Sequence, residues 1–429
     1  MMKISKKLMT LVLTTAIIGT TLAGCSSKTS STQKSSSDKI QLSVTTWNYD
    51  TTPEFKALFE AFHKANPNIT IKPIDIDASQ YDNKVTTMLA GGDSTDVLTM
   101  KNTTSYSGYA FRGQLEDLTT HVKPNVANAN YKGAYDYLKI DDKYYAQPYR
   151  TDFFVLYYNK TMFDKAKIAY PENLTWDQYA TLAQKLTVGT GSTKQYGAYN
   201  HTWRSIVQAT ASAQTNSDLV SGKYDFMKPY YETFLKMQKS GSSMEYGTAK
   251  STSSTYASQF ETGKAAMLPM GTWYMAGVLN SKKKGATDVN WGITAMPQNE
   301  SNSKVTTFGS PTAFAINKKS KQKEAAQKFL DFASGEKGAT VLASVGVVPA
   351  YRTDVINKSY FDLKGMPTDA ISKKAFSPDK IALEMPVNKH SAAIDQVLTE
   401  EHDLIMVGGS TIDKAIASMS KRVLQEIKE

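Results

Sequence analysis

Cysteine is nearly absent from this sequence: Cys25 is the single thiol in 429 residues, so no disulfide can form within the chain and no thiolate cluster can hold a metal. A stripe of Lys and Arg interleaved with aromatics is also missing. The formal charge of +10 is scattered, which argues against nucleic acid as a partner. Long apolar runs are lacking beyond Leu8 to Leu22, and that run, at about fifteen residues, falls short of the roughly 20 a spanning helix needs. Enzyme signatures are missing as well. Gly263-Lys264 is followed by Ala265, and Ser258 stands where a phosphate-binding loop needs its first glycine. No Gly-x-Ser-x-Gly elbow occurs. His63, His121, His201, His390 and His402 are too widely spaced to place two metal ligands on one helical face, so neither a metal nor a cofactor is expected. Carboxylates are plentiful, and a paired-carboxylate glycoside hydrolase stays open as an alternative.

What is present begins with Lys3, Lys6 and Lys7 ahead of the Leu8–Leu22 run, the layout of a secretory signal. Leu22-Ala23-Gly24-Cys25 resembles the lipobox of bacterial lipoproteins. That resemblance implies a signal peptide over 1–24, a diacylglycerol on the Cys25 sulfur and a membrane anchor outside the cell. Residues 25–39, rich in Ser and Lys, read as a flexible tether. A hydrophobic content of 41% implies a real core beyond it, and the length implies more than one domain.

From Lys39 the pattern is regular. Ile40, Leu42 and Val44 alternate with polar neighbours as a strand, and Phe55, Leu58, Phe59 and Phe62 form one face of a helix with Pro53 at its start and Thr52 as cap. NITIKPIDI, the helix around Tyr81 to Leu89, and DVLTM continue the alternation, which predicts an α/β fold with a parallel sheet. Ligands of such sheets gather at the carboxyl ends of the strands, here Trp47 to Asp50 and Met100 to Thr104. FFVLYYNK, KAAMLPM and TAFAIN read as further strands. Val188 to Lys194, Ser240 to Thr255 and Asn299 to Lys304 read as surface loops.

Five tryptophans and 24 tyrosines exceed what packing needs. Sugars present apolar C–H faces ringed by hydroxyls, so a sugar binder needs flat aromatic platforms with carboxylates, amides and guanidinium groups at the edge. Trp47, Trp203 and Trp273 stand where a sheet would present a ligand. The flanking Gly271 would let backbone approach it beside Trp273. Trp176 and Trp291 read as core.

Over about 380 residues the chain resembles the extracellular solute-binding proteins of sugar ABC importers, the family that includes the maltodextrin binders. The resemblance is carried by TTWNYDTTPEFKALFEAFHKANPNI, LAGGDSTDVLTM, YYAQPYRTDFFVLYYNKTMFDKAKI, FETGKAAMLPMGTW and FGSPTAFAINKKSKQKEAAQKFLDFAS with VGVVPAYR. It implies two α/β lobes, 40–150 with 308–345 and 151–307 with 346–429, and a ligand cleft between them. It also implies oligosaccharide as ligand, permease transmembrane subunits as partner, a monomer, and no catalysis. The matching contact positions are Trp47, Asn48, Asp50, Lys101, Asn102, Thr103, Arg150, Asp152, Trp203 and Trp273. Asp96 either holds ligand or braces its loop. Met100 and Thr103-Thr104 depart from the aromatic and Asp-Arg pair of the maltodextrin binders. A receptor for another cargo, such as a polyol phosphate or a peptide, is the other alternative.

Overall fold

Leu42 and Val44, both fully buried, anchor β1 (Ile40–Trp47), which pairs in parallel with β2 (Ile69–Ile76) from Ile40 opposite Ile69 to Trp47 opposite Ile76. These positions come from a computed structural model that describes residues 39–300 and 304–428. Cys25, the signal segment 1–24 and most of the 25–39 tether lie outside the described residues. Helix α1 (Pro53–Ala65) buries Phe55, Leu58, Phe59 and Phe62, the stripe that 3.6-residue periodicity predicts. Thr52 precedes it without capping through its side chain. Its hydroxyl donates instead to the Trp47 carbonyl at 3.0 Å. Helix α2 (Tyr81–Ala90) leads to β3 (Val97–Met100), parallel to β1, and α3 (Thr103–Phe111) follows with Asn102 as its cap.

The wholly parallel sheet expected from this start is not what forms. β4 (Gln147–Asn159), β5 (Tyr196–Ala198), β6 (Ala265–Gly271), β7 (Trp291–Thr294), β8 (Thr306–Ile316) and β9 (Lys380–Leu383) complete a mixed sheet of order β2-β1-β3-β8-β4-β6-β5, with β7 against β4 and β9 against β8. β8 enters antiparallel beside β3 because it arrives from the far lobe.

Two lobes share this sheet. The first is built on Leu42, Val44, the α1 stripe, Tyr149 and Ala313 to Ile316, with Phe329 of the helix Lys323–Ser334 packed on them. In the second, β4 buries both faces: Phe154, Leu156 and Tyr158 point into one core, and Phe153, Val155 and Tyr157 into another. That is why FFVLYY is continuously apolar. Trp176 sits in the first of these cores, at the start of a helix with a full capping box between Thr175 and Gln178, and Trp291 stacks on Tyr157 at 5.7 Å in the other. The segment read as a loop over Ser240 to Thr255 contains a helical turn, Tyr246–Ser251, because Tyr246 and Ala249 are both buried.

Three segments run side by side where the cores meet: 150–152, 309–312 and 347–352. Tyr149 stacks on Phe314 at 4.3 Å on the first-lobe side, and Phe154 stacks on Phe308 at 4.0 Å on the second-lobe side. Between these clasps Arg150 to Phe153 pair with Thr312 to Gly309, after a register irregularity between Pro148 and Arg150. Thr151 N donates to the Val348 carbonyl and Ala350 N to the Tyr149 carbonyl. Gly309 is obligatory here, since a Cβ would lie 2.1 Å from the Asp152 carbonyl oxygen.

Candidate functional site

The carboxyl ends of β1, β2 and β3 make the first wall. Asn48 takes a left-handed turn (φ 46°), and its side-chain oxygen accepts from Ala78 N at 3.0 Å. Ala78 in turn offers its carbonyl to Lys101 Nζ at 2.6 Å. Asn102 caps α3 by accepting from Ser105 N, and donates to Asp82 at 3.2 Å. Asp50 lies exposed on the same rim. Burial pulls the Lys101 pKa below its ordinary value, against the opposing pull of Asp82.

The floor is a buried ionic group on the crossing strand. Arg150 Nη1 donates to Glu54 Oε1 at 2.7 Å, and its Nε lies 3.2 Å from Asp152 Oδ2. Thr272 Oγ1 donates to the other Asp152 oxygen at 3.0 Å. Burial works against the Arg150 charge, yet Asp152 and Glu54 beside it hold the guanidinium above its ordinary pKa. Burial raises the pKa of both carboxyls, with Arg150 pulling them back. Trp47 is 7% exposed. Lys101 Nζ and the Arg150 guanidinium carbon each lie 5.8 Å from its ring centre, and Phe55 and Tyr81 meet its edges.

The second wall is aromatic. Trp203, 40% exposed, stands with its ring centre 4.4 Å from His201 and 6.2 Å from Trp273. Trp273 is half-buried, edge-on to Phe154. Its ring lies directly over Gly271, where a Cβ would come within 1.9 Å of it. The glycine therefore admits the protein's own tryptophan, not a ligand. Burial brings the His201 pKa down to about 4, so the ring is neutral.

Beside the first wall lies a cavity of about 210 Å³, lined by Asp82 and Asn102 to Ser105 and by Arg204, Ser310, Glu384, Met385 and Asp395, and by none of the floor or aromatic-wall residues. A wider one of about 390 Å³, lined by Leu383, Pro386 and Val387 of the same segment, lies away from the carboxyl end of β3. The smaller cavity has the position that strand topology assigns to a ligand.

Most of the residues singled out from sequence form one chain of contacts. Lys101 reaches Trp47, Trp47 reaches Arg150, Arg150 reaches Asp152, and Asp152 reaches Thr272, next to Trp273, which neighbours Trp203. Asn48, Asp50 and Asn102 form the adjoining rim. Two readings change, and the open one for Asp96 falls to bracing. Asp96 lies at the amino end of β3, away from the cleft, and its carboxylate accepts from Ser43 N, Ser43 Oγ and Ser320 Oγ, so it braces the sheet. Thr103 is buried, and its hydroxyl is committed to the Met385 carbonyl of the other lobe. Trp47 is enclosed, a wall element without an open face. Glu54, Arg204, Glu384 and Asp395 escaped the sequence reading. Glu54 looks like an ordinary first-turn acid of α1, and the other three belong to no motif. Among the described residues no cluster of His, Cys, Asp and Glu could hold a metal.

The family of bacterial extracellular solute-binding proteins matches residues 49–340. The chain belongs to that family. This solute-binding protein is 23% identical over 382 residues to the multiple sugar-binding protein of Streptococcus mutans, covering 84% of the chain and 86% of the relative. It is 24% identical to the galactooligosaccharide-binding protein of Bacillus subtilis over 82% of each chain. Among solved structures it is similar to a sugar transporter of Rhizobium etli in an open conformation, with a TM-score of 0.76 and 36% identity, covering 90% of this chain and 99% of that one. The family is one of extracellular binding proteins, and both relatives are binding proteins.

Proposed function

We propose that this protein captures an oligosaccharide in the interlobe cleft and delivers it to the transmembrane subunits of an ABC permease, with no chemistry of its own. The carrying observation is the contact chain that joins Lys101 and Trp47 on the first lobe, through Arg150 and Asp152 on the crossing strand, to Trp273 and Trp203 on the second. Trp203 offers the open platform, with Trp273 supporting it. Asn48, Asp50, Lys101 and Asn102 offer polar groups at the rim, and Arg150 with Asp152 forms a rigid floor. The lobes are 40–150 with 308–345 and 151–307 with 346–429, and the ligand couples them by stabilising the closed form. The protein works as a monomer tethered through a lipid on Cys25. Sugar binding by the relatives supports the ligand class.

Purified protein incubated with maltotriose, mannobiose or galactobiose should bind one stoichiometrically and return it intact on chromatography. Turnover abolished by a single Asp or Glu substitution would replace this reading with hydrolysis. Cys25→Ser should release folded protein into the medium. A variant that stayed on cells would remove the lipid tether.

A further inference from the structure

The charge of the ligand follows from how the cleft's own charges are paired, and this inference rests on the sugar reading above. Arg204, the cation that lines the cavity, is already paired. Arg204 donates through Nε to Asp395 at 2.7 Å, pairs with the same oxygen through Nη2, and turns Nη1 to Gln208. Arg150 lies between Glu54 and Asp152, and Lys101, which donates to the Ala78 carbonyl, is drawn to both Asp82 and Glu384. The carboxylates are not matched in the same way. Asp82 accepts from Asn102 and from Ser105 Oγ at 2.7 Å, neither of them charged. Glu384 lines the cavity with, among the described residues, no cation within ion-pair distance of its carboxylate, Arg204 and Lys101 acting on it from further off. Burial raises its pKa, and Arg204 and Lys101 only partly offset this.

Three carboxylates and one guanidinium therefore line the cavity, and the rest of its polar lining is the hydroxyls and amide of Asn102, Thr103, Thr104, Ser105 and Ser310. We propose that Glu384 is the specificity-determining residue of the cleft, accepting hydroxyl hydrogens of an uncharged sugar and excluding sugars that carry a carboxylate or a phosphate. A uronate placed there meets Glu384 and Asp82, with Arg204 committed to Asp395 and Lys101 already shared between those two carboxylates, and like charges so juxtaposed are disfavoured. A neutral sugar instead supplies the donors that an acceptor-only carboxylate needs.

The test is calorimetry at pH 7 with mannobiose, maltotriose and galactobiose against digalacturonate, on wild type and E384Q. We expect at least one neutral sugar to bind and digalacturonate to bind at least about tenfold more weakly. In E384Q the neutral sugar should weaken while that ratio narrows severalfold, with unfolding midpoint unchanged. Digalacturonate binding as tightly as the best neutral sugar, or a ratio unaltered in E384Q, would overturn the assignment and leave the sugar reading standing. Should E384Q fold poorly, E384D, which keeps the charge, must retain the discrimination. Absence of binding by all four sugars would overturn the sugar reading, and this inference with it.

Discussion

The Thr103 hydroxyl donates to the Met385 carbonyl across the lobe boundary at 2.9 Å, in a fully buried setting, and Ser107 Oγ donates to the Asn388 carbonyl at 2.6 Å one turn further along α3. These are direct bonds between the lobes, made by side chains on the ligand-facing end of a helix. Thr103→Val keeps the shape and leaves the Met385 carbonyl unpaired, which costs roughly 1–3 kcal/mol. If the bond belongs to the closed form, the cost appears as ligand affinity weaker by about 5- to 150-fold, with a larger radius of gyration at a given sugar concentration. An equal loss in apo melting temperature with affinity intact would show that the two segments stay bonded in both forms.

Gly271 allows a second test. Gly271→Ala puts a methyl where the Trp273 ring lies, so the ring must move while its chemistry is retained. Affinity should fall in Gly271→Ala and in Trp203→Ala. Trp203→Ala should leave stability nearly unchanged, because that ring is already largely open to water. Titration by intrinsic fluorescence, paired with thermal melts, separates the two effects.

Arg150 is the centre of the buried ionic group, and its removal strands two carboxylates. Arg150→Met should destabilise the fold by about 3–5 kcal/mol. Urea denaturation of Arg150→Met against the double variant Arg150→Met with Glu54→Gln should show part of that loss recovered, since one stranded charge is then gone.

His402 lies in the core, with its Nδ1 3.1 Å from the Tyr231 hydroxyl and no hydrogen-bond partner for Nε2 among the described residues. Burial brings its pKa down to about 3, with Asp403 opposing and Arg204 and Lys250 reinforcing the shift. The unfolded chain binds a proton here below about pH 6.5 and the folded chain does not, so folding stability falls as pH drops from about 6.5 towards 3. The contribution is about 1.4 kcal/mol per pH unit. His402→Gln should flatten the fall in melting temperature between pH 6.5 and 4.5 relative to wild type. An unchanged profile would mean that the residue is protonated in the native core.

The first five elements were legible because their signals are local: Phe55, Leu58, Phe59 and Phe62 carry helical periodicity, and Leu42 and Val44 carry strand alternation within a few residues. The antiparallel entry of β8 was not, since the pairing of Val97 with Ile316 joins distant segments and leaves no mark on either. At the site, exposed Trp203 followed from composition and position. The role of Thr103 did not, and that of Asp96 stayed open between two. Both are polar residues flanking β3, and only the direction of the strand puts one at the far end and turns the other toward Met385. Glu384 and Arg204 act through neighbours remote in sequence, which no spacing rule detects.

The placement of β8 also governs when the chain can fold. Until residues 313–316 have been made, β3 has an unpaired edge and the first lobe lacks Phe314, against which Tyr149 and Phe329 pack. An N-terminal fragment of some 300 residues cannot complete even the lobe it mostly encodes. Pairing so remote raises the contact order and slows folding. A polypeptide of an extracellular family thus has most of its length made before its first core closes, which leaves its apolar strands dependent on protection until then.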